Sequence, residues 1–385
     1  MKYVVCVPDG CADEPVDELG GRTPLEVADM PTLHRLAATA ELGRAAVIPE
    51  GMAPGSDVGN MSILGYDPAE FHTGRAPIEA AALGIALADD QAAFRCNLVR
   101  VDDGIMADFA GGHPSSDDAA KVVAQLQDDL GGPTADGEVA FHAGVQYRHI
   151  SVTPRTWADA ECTPPHDLSD KPVVLPTGAA APQLTDLMDR SRAIVGASSL
   201  AANQIWLWGQ GTRPTLPTFG DTYRLDAGLV TAVDLVKGLG VLARMETLEA
   251  EGATGWFDTN YEAKRDVALH ALDDWADLFL VHVEATDEAG HAGNVTEKVK
   301  ALENWDRRIL AGLVEGLDSI GPWRLLLLPD HATPLRLKTH TSDPVPYLLY
   351  DRRTEAPGGT YTEAGVADRP VVAGHDLMGR LTSVR

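Results

Sequence analysis

Basic side chains are scarce in this chain: 31 lysines and arginines stand against 57 aspartates and glutamates, a formal net charge of −26. A field of that sign repels phosphate backbones and anionic lipid surfaces, so neither nucleic acid nor a membrane is an expected partner. An anionic substrate would need a local basic pocket, which gives isolated arginines and lysines unusual weight. Cysteine is rare as well. Cys6, Cys11, Cys96 and Cys162 form no CxxC pair, which argues against a zinc ribbon or a disulfide framework and for free thiols. No apolar run reaches the length of a membrane-spanning helix, and the chain passes straight into apolar Tyr3–Val7 without a leader-like segment, so a cytoplasmic protein is expected. Missing too are a GxxxxGK[ST] loop and a kinase-like glycine loop, which removes a nucleotide-dependent kinase from the expected functions. No internal repeat or low-complexity tract points to a solenoid.

What is present suits two domains, since 385 residues exceed one typical core. Apolar runs of strand length lie at Tyr3–Val7, Leu278–Val283, Leu325–Leu328 and Val345–Tyr350, with helical periodicity at Leu33–Ala40, Val230–Leu242 and Val295–Leu313. The alternation predicts an α/β fold with a mainly parallel sheet flanked by helices. From 93 to 218 the texture changes. Short strands at Phe94–Val101, Gly104–Phe109, Val139–Phe141, Arg148–Val152 and Gln204–Trp208 alternate with helices at Ser116–Leu130 and near Leu184–Ile194, and a proline-rich stretch lies between. An α+β domain at 93–218, inserted into a core of 1–92 and 219–385, is therefore expected. Trp206, Trp208 and Trp256 fit either a core or an interface, so the sequence assigns no oligomeric state.

Five short segments carry the chemistry: Asp9 in Pro-Asp-Gly, Ser56 in Gly-Ser-Asp, Asp287 and His291 four apart, the doublet Asp330-His331, and His340. Asp9, Asp287 and Asp330 follow apolar strands, and ligands of parallel sheets gather beyond the strands' carboxyl ends. Three carboxylates, three imidazoles and one hydroxyl are what two close divalent cations and an activated serine require. A serine at a helix start is ordinarily a cap, and only its company here favours a nucleophile. Such mixed ligands suit Mn, Mg, Co or Zn alike.

In this order the motifs resemble the alkaline phosphatase superfamily, and most closely the cofactor-independent phosphoglycerate mutases of archaeal type. Leu19–Glu26, Leu64–Pro68, Gly74–Pro77, Phe94–Asn97, Tyr147–His149, Thr163–Asp167, Lys237-Gly238 and Gly252–Gly255 extend the likeness over nearly the whole chain. The resemblance implies an alkaline-phosphatase-like core whose inserted domain acts as a lid that excludes water. It assigns one metal to Asp287, His291 and His340, and the other to Asp9, Ser56, Asp330 and His331. It also implies phosphate transfer between the 3- and 2-positions of glycerate through a phosphoserine at Ser56, without bisphosphoglycerate. The expected partner is a small phosphorylated anion, met by Arg75, Arg95, Arg148, His149, Lys237 and Lys264 in the family-like segments, with His166 reaching in from the proline-rich stretch. One segment departs: Phe109-Ala-Gly-Gly-His113 stands where these mutases usually carry Arg-Ala-Gly-Arg. The same machinery with altered anion contacts would suit another phosphoryl transfer, such as a homoserine kinase-like reaction or a phosphatase.

Overall fold

The structure is a computed structural model describing residues 1–383, and it divides into two compact units. The first joins Met1–His72 to the chain from Leu216 onward, and the second is Thr73–Thr215.

The first unit is built on an eight-stranded sheet in the order Glu246–Leu248, Ala227–Val230, Leu278–Val283, Lys2–Pro8, Trp323–Leu327, Val345–Asp351, Glu41–Ala46, Val371–Ala373. Lys2–Pro8 is central and parallel to both neighbours, in register Pro8 to Val283 and Cys6 to Leu327. Its residues from Tyr3 to Pro8 are all buried, as are all six of Leu278–Val283, because helices cover both faces. Val345–Asp351 alone pairs antiparallel to its neighbours on both sides. Its reversed direction brings its start, and the loop carrying His340 before it, to the rim where the parallel strands end.

Some expected boundaries move. Val230 closes a strand, so the helix there starts only at Asp234. The long helical pattern from Val295 is interrupted by a π-turn at Asp306–Leu310 before continuing to Ile320. That turn has a use: buried Asp306 accepts from the backbone N–H groups of Thr32 and Leu33, satisfying the open start of helix Pro31–Ala37.

The second unit centres on the twelve-residue strand Gln91–Asp102, which pairs antiparallel with Ile105–Asp108, Arg148–Pro154 and Gln204–Thr212. Phe94, Cys96 and Leu98 face a core with helices Ser116–Leu130 and Ala181–Val195, while Ala93 faces a smaller one with Ala76, Ala80, Ile150 and Val152. Helix Arg75–Ala82 supplies the second cover, so this unit starts at Thr73 where the sequence reading put 93, and it ends at Thr215 rather than 218. Trp206 and Trp208 are core residues of this unit, whereas Trp256 is largely exposed. All four cysteines are free, three of them buried. Among the described residues no helix is long and apolar enough to cross a membrane.

Candidate metal centre

Asp9 follows Lys2–Pro8, Asp287 and His291 lie in helix Ala285–Ala292 directly after Leu278–Val283, and Asp330-His331 follows Trp323–Leu327. Ser56 opens helix Ser56–Ile63, with Gly55 as the residue before it and no side-chain cap. Its hydroxyl, freed from capping, lies 3.2 Å from His331 Nε2. Two glycines let these backbones close in. A Cβ on Gly59 would fall on the carbonyl of Asp330, and one on Gly10, at φ +58°, would fall on the Asp287 carboxylate.

Two groups of donor atoms result. In one, His291 Nε2 is 3.2 Å from Asp287 Oδ2 and 2.9 Å from His340 Nε2, which in turn is 3.6 Å from Asp287 Oδ1. In the other, His331 Nε2 faces Ser56 Oγ, Asp9 Oδ1 at 3.5 Å and Asp330 Oδ2 at 3.6 Å. Four atoms around one divalent cation with bonds of about 2.0–2.2 Å sit about 3.3–3.6 Å apart, and the distances above lie at or somewhat below that spacing. Asp287, His291 and His340 make one set of donors close enough for a metal, while Asp9 shares a second set with His282 and Asp330 and a third with Asp287 and His331. The tautomers agree with this. Thr333 Oγ1 donates to Asp287 Oδ1 and so can only accept from His331 Nδ1, which leaves the Nε2 lone pair of His331 facing the group. The carbonyl of Lys338 likewise takes the proton of His291 Nδ1 at 3.0 Å.

Electrostatics point the same way. Burial, then the charges of Asp330 and Asp287, push Asp9 well above the usual carboxylate range. Burial acts upward on Asp287 and Asp330 also, but the surrounding histidines outweigh it and hold both well below that range. Burial takes His331 down to about 4, whereas contact with Asp287 overcomes burial at His291 and takes it up to about 9. Three buried carboxylates crowd together here, a concentration of like charge that a divalent cation would neutralise.

The structure thus gathers all seven residues expected to hold metal, and adds three that sequence reasoning missed. Thr333 bridges the two groups. Asn60 donates to Asp330 Oδ2 at 2.7 Å, one helical turn after Ser56. His282, fully buried within its strand, brings Nε2 to 3.3 Å from Asp9 Oδ2 and 4.0 Å from Asp330 Oδ2. The sequence signals were a threonine two residues past His331 and a histidine inside an otherwise apolar run.

The residues expected to meet substrate fall in different places. In the second unit, Arg95 is buried against Glu79 at 2.8 Å and lies over the Trp208 ring at 4.4 Å, and burial takes it down to about 10. Arg75 shares Glu79, exposed Arg148 lies over Tyr147, and the His166 ring meets Trp208 edge-on. His149 is buried, accepts from the Gly144 N–H at 3.0 Å and is lowered to about 4 by burial. His113 sets its ring against Tyr147. In the first unit, Lys237 pairs with Glu249 at 2.6 Å. Lys264 corrects its expected role: it is fully buried, its ammonium held by Glu284 and the carbonyl of His282, and offers no face to a ligand.

The family model for 2,3-bisphosphoglycerate-independent phosphoglycerate mutase matches residues 37–200. The enzyme of that name from Methanothrix thermoacetophila is 46% identical over 362 residues, 91% of this chain and 90% of the relative. A solved protein of Pyrococcus horikoshii superposes with a TM-score of 0.79 at 24% identity, covering 100% of this chain and 98% of the other. A cofactor-independent phosphoglycerate mutase from Thermoplasma acidophilum gives 0.66 at 24%, covering 99% of each. These two structures carry the same fold, and the sequence relative carries the kinship: the chain belongs to the family of 2,3-bisphosphoglycerate-independent phosphoglycerate mutases.

Proposed function

We propose that this protein interconverts 3-phosphoglycerate and 2-phosphoglycerate without bisphosphoglycerate, with Ser56 as the transient phosphoryl acceptor and two divalent cations in the ligand groups above. The observation that supports it best is the placement of Ser56: a hydroxyl released from capping, at a positive helix end, 3.2 Å from His331 Nε2 inside a ring of metal donors. Asp287, His291 and His340 would hold one cation, and Asp9, Ser56, Asp330 and His331 the other. Cations bound there supply charge neutralisation for the attacking and leaving oxygens and favour the alkoxide of Ser56.

The chain's own residues account for the rest. Ser56 Oγ bonds to phosphorus while the bond from phosphorus to the 3-oxygen of glycerate breaks, and the proton that the serine loses is matched by the one that the 3-oxygen gains. The 2-hydroxyl then attacks phospho-Ser56, the Oγ–P bond breaks, and the proton lost by the 2-hydroxyl is matched by the one that Ser56 Oγ regains. Thr333 and the carbonyl of Lys338 keep His331 and His291 in the tautomers that present Nε2. In the second unit Arg95 lies over Trp208 with the charges of Arg75 and Arg148 close enough to act on it, and this cluster would meet a carboxylate or phosphate.

The test is conversion of 3-phosphoglycerate by purified protein without bisphosphoglycerate, with Mn²⁺ or Co²⁺ and after metal removal. Turnover that needs metal and falls by more than about a thousandfold in Ser56→Ala is expected. Turnover that survives in Ser56→Ala would end the phosphoserine reading. One observation favours a second reading: His113 and Phe109 meet Tyr147 where the resemblance implies arginines, which would match the same centre to a different phosphate ester or to homoserine. Metal-bound protein inert on phosphoglycerate but active on those compounds would decide for it.

A further inference from the structure

Behind Asp9 lies a run of buried polar groups that the chemistry above leaves without a task. His282, Glu284 and Lys264 are at most 2% exposed. Lys264 Nζ meets Glu284 Oε2 at 2.5 Å and donates to the carbonyl of His282 at 2.9 Å. Glu284 Oε1 accepts from the Ala232 N–H at 2.7 Å and from Thr231 Oγ1 at 3.1 Å, and lies 3.2 Å from His282 Nδ1. The other ring nitrogen, Nε2, is 3.3 Å from Asp9 Oδ2. The chain of contacts therefore runs from an ammonium through a carboxylate and an imidazole to a second carboxylate, all inside the protein.

Buried ionisable groups are costly, and a row of four is retained only where each fixes the next. Asp9 divides its oxygens: Oδ1 faces His331 Nε2 with the metal donors, and Oδ2 faces His282. An aspartate with only one oxygen on a cation can still swing about its χ2 torsion, and a partner on the other oxygen stops that motion. Glu284, with two further donors and a lysine, is itself held in place and fixes the imidazole plane.

We propose that His282 is a positioning residue for the metal site of Asp9, Ser56, Asp330 and His331, holding Asp9 by its outer oxygen and held in turn by Glu284 and Lys264. This rests on the two-metal reading above. Because His282 Nε2 faces Asp9 Oδ2 at 3.3 Å and Asp330 Oδ2 at 4.0 Å and reaches none of Asp287, His291 and His340, its effect belongs to the affinity of one cation and not to the other.

The test is a Mn²⁺ titration of metal-free, full-length protein by calorimetry, with bound metal counted independently. His340→Ala identifies which of two binding steps belongs to the Asp287 site. Wild-type protein that takes up fewer than two Mn²⁺ would defeat the two-metal reading itself, before any His282 variant is made. Given two, His282→Leu is expected to weaken the Asp9 step by about 10- to 100-fold and leave the Asp287 step unchanged. His282→Gln, whose amide N–H can reach Asp9 from much the same position as Nε2, is expected to recover most of the loss. Equal affinity at both steps in folded His282→Leu would overturn the proposal. So would an Asp9 site left empty at saturating Mn²⁺ in both variants, which would make His282 a ligand. If His282→Leu does not fold, the double variant Lys264→Met/Glu284→Gln, which removes both charges of the buried pair together, should weaken the same step, and no change in it would count equally against the idea.

Discussion

Thr333 serves both ligand groups through one hydroxyl, which gives to Asp287 and takes from His331. Thr333→Val keeps the volume and removes the hydroxyl, and metal affinity at both sites should fall by about 10- to 100-fold in a chelator competition. His149 offers a second residue-scale prediction. Burial takes it from an ordinary 6.5 down to about 4, so it is neutral when folded at neutral pH. The unfolded chain binds that proton more readily, so stability is full above pH 6.5 and is lost as pH falls from 6.5 towards 4, by up to about 3 kcal/mol. Hydrogen exchange in strands Gln91–Asp102 and Arg148–Pro154 should quicken over that interval, and less so in His149→Asn. Legibility differed sharply among residues. Asp9, Asp287 and Asp330 could be read because each interrupts a polarity pattern just where a buried strand ends. His282 could not, because one histidine within Leu278–Val283 looks like any core residue until its two neighbours at opposite ring nitrogens are known. Lys264 misled for the converse reason: a lysine in a helix is normally solvated, and only the position of Glu284 draws it inside.

Helices and loops at the rim depend on close backbone contact. Gly59 in helix Ser56–Ile63 touches the Asp330 carbonyl, so Gly59→Ala should push the helix and Ser56 outward. A stability loss of about 1–3 kcal/mol in thermal unfolding is expected, with activity lost in greater proportion. Buried Lys298 ties the Asp9 loop to the Asp330 loop, reaching Asp13 at 2.7 Å and the Thr333 carbonyl at 2.8 Å. Lys298→Met strands the Asp13 charge and should cost about 3–5 kcal/mol in denaturant unfolding. At this scale the sequence pattern was informative for strands, which are continuous apolar runs. It was weaker for helix Arg75–Ala82, whose alanines give no sign of which sheet they cover. The choice between the two sheets is made by Ala93, Ile150 and Val152, remote in sequence from that helix.

At the level of the whole molecule, a net charge of −26 opposes the approach of any phosphorylated anion. Raising ionic strength screens that repulsion, so kcat/KM for phosphoglycerate should rise between about 10 and 150 mM salt before local ion pairing with arginine weakens. The order of strands across the core sheet has another consequence, for synthesis. Lys2–Pro8 is made well before its two partners, Leu278–Val283 and Trp323–Leu327. At about 5–20 residues per second it waits roughly 15–60 s before either neighbour is made. Thr73–Thr215 is continuous and can complete its own sheet during that interval. The nascent chain therefore holds all of Thr73–Thr215 while a strongly apolar strand is still unpaired, and the step most exposed to misassembly is the late capture of Lys2–Pro8 by the segment from Leu278 onward.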